Sequence, residues 1–298
     1  MKKRLLVTGY GGFVAGSVVR QAAGAWDVCA VHQFDSAPEI PGVRRRQLEL
    51  RDTARLREFF AEEKPDAVIH MAALADIDYC QNHQDEAEQV NVGVTAEIAR
   101  LCGRSGAKMI ACSTDTVFDG AKGRYTEDDQ PHPVNFYGET KVRAEKAVRE
   151  LAPGSVVARL SLVVGLPVLG AGNSFLAKMV ESLEARREVR FPQNEIRTPI
   201  DVITLGRALL ELAGSEFHGT IHLAGCTRLN RHEMGLRIAE RLGYPGKLVV
   251  ATDSNSMPGR AARPNDASLD NSLARRTLRT PMLELADALE LILSSREK

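Results

Sequence analysis

The sequence predicts an α/β fold, a doubly wound parallel sheet with a smaller irregular C-terminal lobe. Three observations predict it. In the first half, short apolar runs alternate with amphipathic helical stretches, the mark of βαβ units whose strands are buried on both faces. Glycines stand directly between the first strand and the first helix. After Gly165 the alternation fades into shorter pieces.

The elements follow in order. Arg4–Thr8 is a short buried strand, and Phe13–Ala23 the helix behind the glycines. Asp27–His32 and Val43–Leu50 are the next strands, and Asp52 is placed to cap a helix over Thr53–Glu63. Ala67–Met71 is a fourth strand, followed by a long helix over Asp85–Arg104. Met109–Ser113, the helix Phe136–Leu151 and the strand Ser155–Val164 complete the regular part. Beyond it, Asn173–Arg187, Leu205–Ala213, Glu233–Leu242 and Leu283–Ser294 read as helices. Val189–Phe191, Ile196–Ile200 and Thr220–Leu223 read as strands. The expected division is 1–165 for the dinucleotide-binding part. Residues 166–298 are expected to form mainly a substrate-binding lobe with elements returning to the sheet.

The 298 residues suffice for a full core, and 39 basic residues balance 39 acidic ones. Zero net charge argues against nucleic acid or a membrane surface as partner. The dense basic run Arg44–Arg46 reads as a solvated strand end. Five scattered cysteines without a CxxC pair fit a reducing cytoplasm, and no metal site is expected. No apolar stretch is long enough to span a membrane, and the N-terminal run is too short for a signal peptide.

Gly9, Gly12 and Ala15–Gly16 lie where a dinucleotide loop needs them: a tight turn, a close backbone approach to a pyrophosphate, and tight helix–strand packing. The following helix N-terminus offers free N–H groups to phosphate. The sheet is therefore expected to be of Rossmann type, with NADP or NAD as cofactor. The second strand ends Val31-His32-Gln33, with no acidic residue until Asp35 and no arginine beside them. Without an acid on the adenosine ribose, His32 leans the expectation slightly toward NADP.

Ser113-Thr114-Asp115 closes the fifth strand, and Tyr137 and Lys141 open the next helix on one face. A free tyrosine, with a pKa of roughly 10, is a poor acid–base group at neutral pH. A nearby ammonium and the positive nicotinamide ring are expected to lower that value. A hydroxyl at the strand end can hold the substrate oxygen beside the tyrosine.

At these residues the chain resembles the extended short-chain dehydrogenase/reductase family, and within it the dTDP-4-dehydrorhamnose reductases. The resemblance is carried by Thr8-Gly-Tyr-Gly-Gly-Phe13, Pro65-Asp-Ala-Val-Ile-His-Met-Ala-Ala73 and Val90-Asn91-Val92. It continues in Ser113-Thr-Asp-Thr-Val-Phe-Asp-Gly120, Tyr125-Thr-Glu-Asp128 and Asn135-Phe-Tyr-Gly-Glu-Thr-Lys141. Arg159-Leu-Ser161, Arg263-Pro264 and Leu269-Asp270 extend it loosely to the end. It implies Thr114, Tyr137 and Lys141 as catalytic residues. It implies Gly9, Gly12, Phe13, Ala72, Ala73, Asn91 and Ser113 at the cofactor, with Glu49 and Leu50 near the adenine. Asp115, Val117 and Asn173 are implied to face substrate.

Two departures stand out. The reductases typically read Ser-Thr-Asp-Tyr-Val-Phe, where this chain has Thr116. They typically carry Ser-Trp-Val-Tyr after the sixth strand, where it has Ser161-Leu-Val-Val164. The expected function is NAD(P)H-dependent reduction of a keto sugar nucleotide, with a homodimer as the expected assembly if the chain associates. The alternatives are a sugar-nucleotide epimerase, or a non-catalytic regulatory protein like the regulatory subunit of methionine adenosyltransferase.

Overall fold

The computed structural model describes residues 2–33, 39–168, 174–256 and 259–295. Its centre is a seven-stranded sheet. The strands β1 (Arg4–Thr8), β2 (Asp27–His32), β3 (Val43–Gln47), β4 (Ala67–His70), β5 (Lys108–Thr114) and β6 (Val156–Leu160) are joined by an edge strand, Gly219–Leu223. The spatial order is edge strand, β6, β5, β4, β1, β2, β3, and every pairing is parallel. The order reverses between β1 and β4. A crevice at the carboxyl ends of the strands is expected at such a switch point.

Helices cover both faces because the strands are apolar on both sides. On one face, α1 (Phe13–Ala22) packs beside a helix from the second half, Val202–Ala213, over Leu5, Val7 and Ile69. On the other, α2 (Thr53–Glu63) and the helices of the middle region bury Leu56, Ile98 and Met109 against the sheet. Asp52 caps α2 as expected, its carboxylate accepting from Arg55 N at 3.1 Å. A third apolar cluster lies under the C-terminal part, built by Leu183, Phe191, Ile238 and Leu289 among others.

Three expectations are corrected. The strand expected over Ser155–Val164 breaks after Leu160, and Val163–Val164 instead pairs with Ile200–Asp201. The strand expected over Ile196–Ile200 is likewise two pieces, because Pro199 has no N–H for a continuous ladder. The long middle helix is preceded by an unexpected short one, α3 (Ile77–Asn82), whose cap Asp76 accepts from Tyr79 N at 2.9 Å. The middle helix itself runs as α4 (Gln84–Ala87), a wider π turn over Glu88–Val94, and α5 (Thr95–Ser105). The catalytic candidates open α6 (Phe136–Leu151), capped by Asn135 through Gly138 N at 2.9 Å. No helix among the described residues is long and apolar enough to cross a membrane.

Candidate active site

A cleft of about 1180 Å³ runs along the strand ends, from the glycine loop to a group of arginines in the second half of the chain. Gly9 forms its floor at φ 79°, and a Cβ there would stand 2.8 Å from Ala72 N. Both the left-handed backbone and the close approach therefore require glycine. Gly12 caps α1 without a side-chain acceptor, so the helix N-terminus meets the cleft through bare N–H groups. Phe13 lines the same wall.

The opposite wall is held from behind. Thr8 Oγ1 accepts from Met71 N and Ala72 N at 3.2 Å each, and so donates to His70 Nδ1 at 2.7 Å. His70 Nε2 then donates to Thr95 Oγ1 at 3.0 Å, and Thr95 donates to Asn91 O at 2.7 Å. Burial holds His70 neutral, with its pKa lowered to about 3. Asn91 is fully buried on the π turn. Its amide accepts from Leu74 N and donates to Leu74 O and Thr140 Oγ1. Asn91 thus shapes the wall that carries Ala72, Ala73 and Leu74 rather than facing the cleft itself.

At the far end of the glycine loop, His32 closes β2 with its ring edge-on to Tyr10. Glu49 and Leu50 line the cleft nearby. Glu49 accepts from Gln33 Nε2 at 2.9 Å and from the Arg51 guanidinium at 2.9 and 3.0 Å. The Arg51 hydrogen bonds hold the Glu49 carboxyl down at about 2. Arg51 arrives from the loop after β3 and meets Gln33 only through their shared partner Glu49. Asp35 lies outside the described residues.

Thr114, at the end of β5, and Tyr137, in the first turn of α6, both line the cleft wall, close enough for the threonine hydroxyl to act on the phenol. Thr114 Oγ1 also reaches Asp115 Oδ1 at 3.2 Å and Thr116 Oγ1 at 3.0 Å. Lys141 is buried one turn behind Tyr137. The Lys141 ammonium alone does not lower the tyrosine. Burial first, and the Asp115 carboxylate second, push the Tyr137 phenol well above its ordinary value. Burial likewise pulls Lys141 down.

Two other expected residues are differently employed. The Ser113 hydroxyl is committed to Glu145 Oε1 at 2.6 Å, although the residue borders the cleft. The Val117 side chain is fully buried against Phe118, Tyr125 and Leu269, so it packs a core instead of facing a ligand. Asn173 lies outside the described residues.

The remaining wall is polar and comes mostly from parts without a regular sequence pattern. Asp115, Thr116, Leu162 and Val163 line it together with Phe175, Glu195, Arg197, Arg231, Arg260 and Arg263. Arg197 Nε stands 3.4 Å from Asp115 Oδ2, and Arg231 Nη1 stands 3.5 Å from Glu195 Oε2. Arg263 grips Asp78 of α3 with two nitrogens, at 2.8 and 2.9 Å. Buried polar atoms on this wall without a hydrogen-bond partner include Asp115 Oδ2, Glu195 Oε1 and Arg231 Nε. Two of them face guanidinium groups instead, Asp115 Oδ2 at Arg197 and Glu195 Oε1 at Arg260.

Comparison with known proteins agrees with this geometry. The family model described as "RmlD substrate binding domain" matches residues 2–297. The chain belongs to this family. Its relatives include a probable low-salt glycan biosynthesis reductase, Agl14, from Haloferax volcanii, 30% identical over 274 residues and 89% of each chain. They also include the methionine adenosyltransferase 2 subunit beta of Bos taurus, 29% identical over 91% of this chain and 81% of that one.

Among solved structures, a hypothetical dTDP-4-dehydrorhamnose reductase from Sulfolobus tokodaii is 32% identical with a TM-score of 0.83, covering 96% and 98% of the two chains. The Bacillus anthracis dTDP-4-dehydrorhamnose reductase, solved with NADP, superposes with a TM-score of 0.87 at 22% identity, covering 99% and 100%. The RmlD family is thus an NAD(P)-dependent oxidoreductase family on an extended short-chain dehydrogenase/reductase fold, as the sequence motifs implied.

Proposed function

We propose that the protein is an NAD(P)H-dependent reductase of a keto sugar nucleotide, with Tyr137 as general acid. The observation that carries this reading is the place of Tyr137: on the cleft wall, in the first turn of α6, beside Thr114 at the end of β5. Reduction of a carbonyl needs a proton donor at the oxygen, and a phenol, with a pKa of roughly 10, is in the donor form at neutral pH. Thr114 steadies the same oxygen from the strand end.

The nicotinamide cofactor, when bound, supplies the hydride. The residues present fit such a cofactor: the Gly9 floor would be filled by any Cβ, and the bare N-terminus of α1 suits its pyrophosphate. Residues 1–165 would hold it. Arg51 favours NADPH, because a 2′-phosphate can compete with the Glu49 carboxylate for its guanidinium.

Residues 166–298 would supply most of the substrate wall. Arg197, Arg231 and Arg260 outnumber Glu195 and Asp115 there and suit the diphosphate of a nucleotide sugar. The kinship with methionine adenosyltransferase 2 subunit beta supports a second reading, a regulatory protein without turnover.

A panel of keto sugar nucleotides with NADPH and NADH separates the two readings. Loss of the reduced-nicotinamide absorbance with at least one sugar is expected. Tight cofactor binding without turnover on any of them, together with a stoichiometric protein partner, would favour the regulatory reading.

A further inference from the structure

We propose that Glu145 is a positioning residue for the catalytic pair: with Arg159 and Ser113 it fixes α6 against the ends of β5 and β6, and its carboxylate is the counter-charge of Lys141. The inference rests on the roles given above to Tyr137 and Lys141. Tyr137, Lys141 and Glu145 recur every four residues and share one face of α6. All three are buried. The first reaches the cleft, the second lies one turn behind, and the third is anchored in the protein.

The anchor is specific in direction as well as distance. Arg159 Nε donates to Glu145 Oε1 at 3.0 Å and Nη2 to Oε2 at 2.8 Å, a fork matching both oxygens. Ser113 Oγ adds a donor from β5 at 2.6 Å, and Arg149 adds one from the next turn of α6 at 3.3 Å. Arg159 itself is held from two sides. Its guanidinium lies over the Phe118 ring at 5.1 Å, and Nη1 faces His222 Nε2 at 3.4 Å. Phe118 ends the short loop that begins at Thr114 and carries Asp115. Both elements that bring Thr114 to Tyr137 therefore close on one ion pair.

Burying two charges costs several kcal/mol per ion before their attraction offsets it, so an apolar contact would stabilise the helix as well. What an apolar contact lacks is an angle. The second role concerns Lys141. The groups that act on it are the Cys112 thiol from β5, the Cys80 thiol from α3, the His70 imidazole from β4 and Glu145. Burial raises the thiols to about 12 and about 11 and lowers the imidazole to about 3, leaving all three neutral near pH 7. Glu145 is held ionised by Arg159, and its charge opposes the burial that pulls Lys141 down.

Two variants of the full chain separate the roles. Glu145→Gln keeps the size but removes the charge and turns an amide toward the fork. Arg159→Lys keeps both charges but removes the fork. In [ε-13C]lysine NMR, with Lys141→Met to assign the signal, Glu145→Gln is expected to move the Lys141 midpoint to lower pH. Arg159→Lys is expected to leave it nearly in place.

In turnover, both are expected to lower kcat by roughly 10–100-fold, the penalty for a reacting group displaced by about an ångström. The cofactor Kd should move far less than kcat. Only Glu145→Gln should move the alkaline limb of the kcat profile, and Glu145→Asp should restore that limb. A folded Glu145→Gln protein with unchanged Lys141 titration and unchanged kcat profile would overturn the proposal. Should Glu145→Gln not fold, an unchanged kcat in Arg159→Lys would overturn the positioning role. Should the wild type reduce no keto sugar nucleotide, the reductase reading falls and the lysine titration still decides the Glu145–Lys141 coupling.

Discussion

Arg197 Nε lies 3.4 Å from Asp115 Oδ2, a buried ion pair that ties the loop beside Tyr137 to the C-terminal half of the chain. Neither residue can lose the other cheaply. Burial already pushes the Asp115 carboxyl above its ordinary value, and Arg197 is the largest influence opposing it.

Arg197→Met is therefore expected to destabilise the protein by about 3–5 kcal/mol, the cost of stranding a buried charge. Adding Asp115→Asn removes that charge and should recover part of the loss. Urea unfolding of the two singles and the double gives the coupling. A double variant less stable by the plain sum of the singles would show that the pair is not coupled.

Gly9→Ala tests the cofactor loop. The new Cβ would sit 2.8 Å from backbone Ala72 N, at a φ of 79° that L-residues avoid. The backbone on both sides must shift, so the two cleft walls separate. Cofactor affinity measured by calorimetry is expected to fall at least tenfold, that is by about 1.4 kcal/mol or more. Undiminished affinity in a folded variant would move the cofactor away from this loop.

Much of this was legible in the sequence, and the reason is local. A strand buried on both faces must be apolar throughout, so β1, β2 and β4 show in composition alone. Gly9 shows because its backbone tolerates no other residue, and Tyr137 and Lys141 because one helix face requires their spacing. The far wall was not legible. Glu195, Arg197, Arg231 and Arg260 come from separate short segments, and only tertiary packing brings them together. Likewise the resemblance implies ligand contacts for Ser113 and Val117, whereas partners distant in sequence, Glu145 and Leu269, determine where their side chains go. The elevated Tyr137 phenol follows from burial, which no spacing reports.

Two buried histidines make stability fall on the acid side. Burial lowers His222 to about 4 and His70 to about 3, both below the usual value of 6.5. The unfolded chain takes up these protons at a higher pH than the native one. Their contribution is thus complete above the unfolded pKa and is lost as pH falls through 6.5 toward 4. Scanning calorimetry should show Tm dropping across that window. In His222→Gln, which carries no titrating group, the drop should be shallower. An equal slope in the variant would assign the acid sensitivity to the carboxylates.

Tyr137→Phe removes the proton donor and keeps the ring. Turnover in the reductive direction is expected to fall on the order of 10²–10⁴-fold, the usual share of general acid catalysis, with the cofactor still bound. Because the phenol is held above its ordinary value, wild-type reduction should show no loss through Tyr137 ionisation below about pH 10. Full activity in Tyr137→Phe would exclude the phenol as the acid.

The last prediction concerns which sugar is reduced. Rhamnose-forming reductases typically place aromatic rings at the positions that are Thr116 and Leu162 here, and both residues line the cleft beside Tyr137. The ring this wall does offer, Phe175, is covered by the Arg231 guanidinium at 5.7 Å. Stacking area is therefore small, while Asp115, Glu195, Arg197 and Arg231 make the wall charged and polar. An aromatic contact is worth roughly 0.5–1.5 kcal/mol beyond its area, a several-fold to tenfold change in affinity. A hydrogen bond from a sugar hydroxyl to a charged group weighs more, about 1.5–3 kcal/mol. The expected outcome is weak activity on dTDP-4-dehydrorhamnose and higher kcat/KM on keto sugar nucleotides with additional hydroxyl groups. Thr116→Tyr should then raise the former relative to the latter. Efficient reduction of dTDP-4-dehydrorhamnose by the wild type, indifferent to added hydroxyls, would mean that the polar wall does not select the sugar.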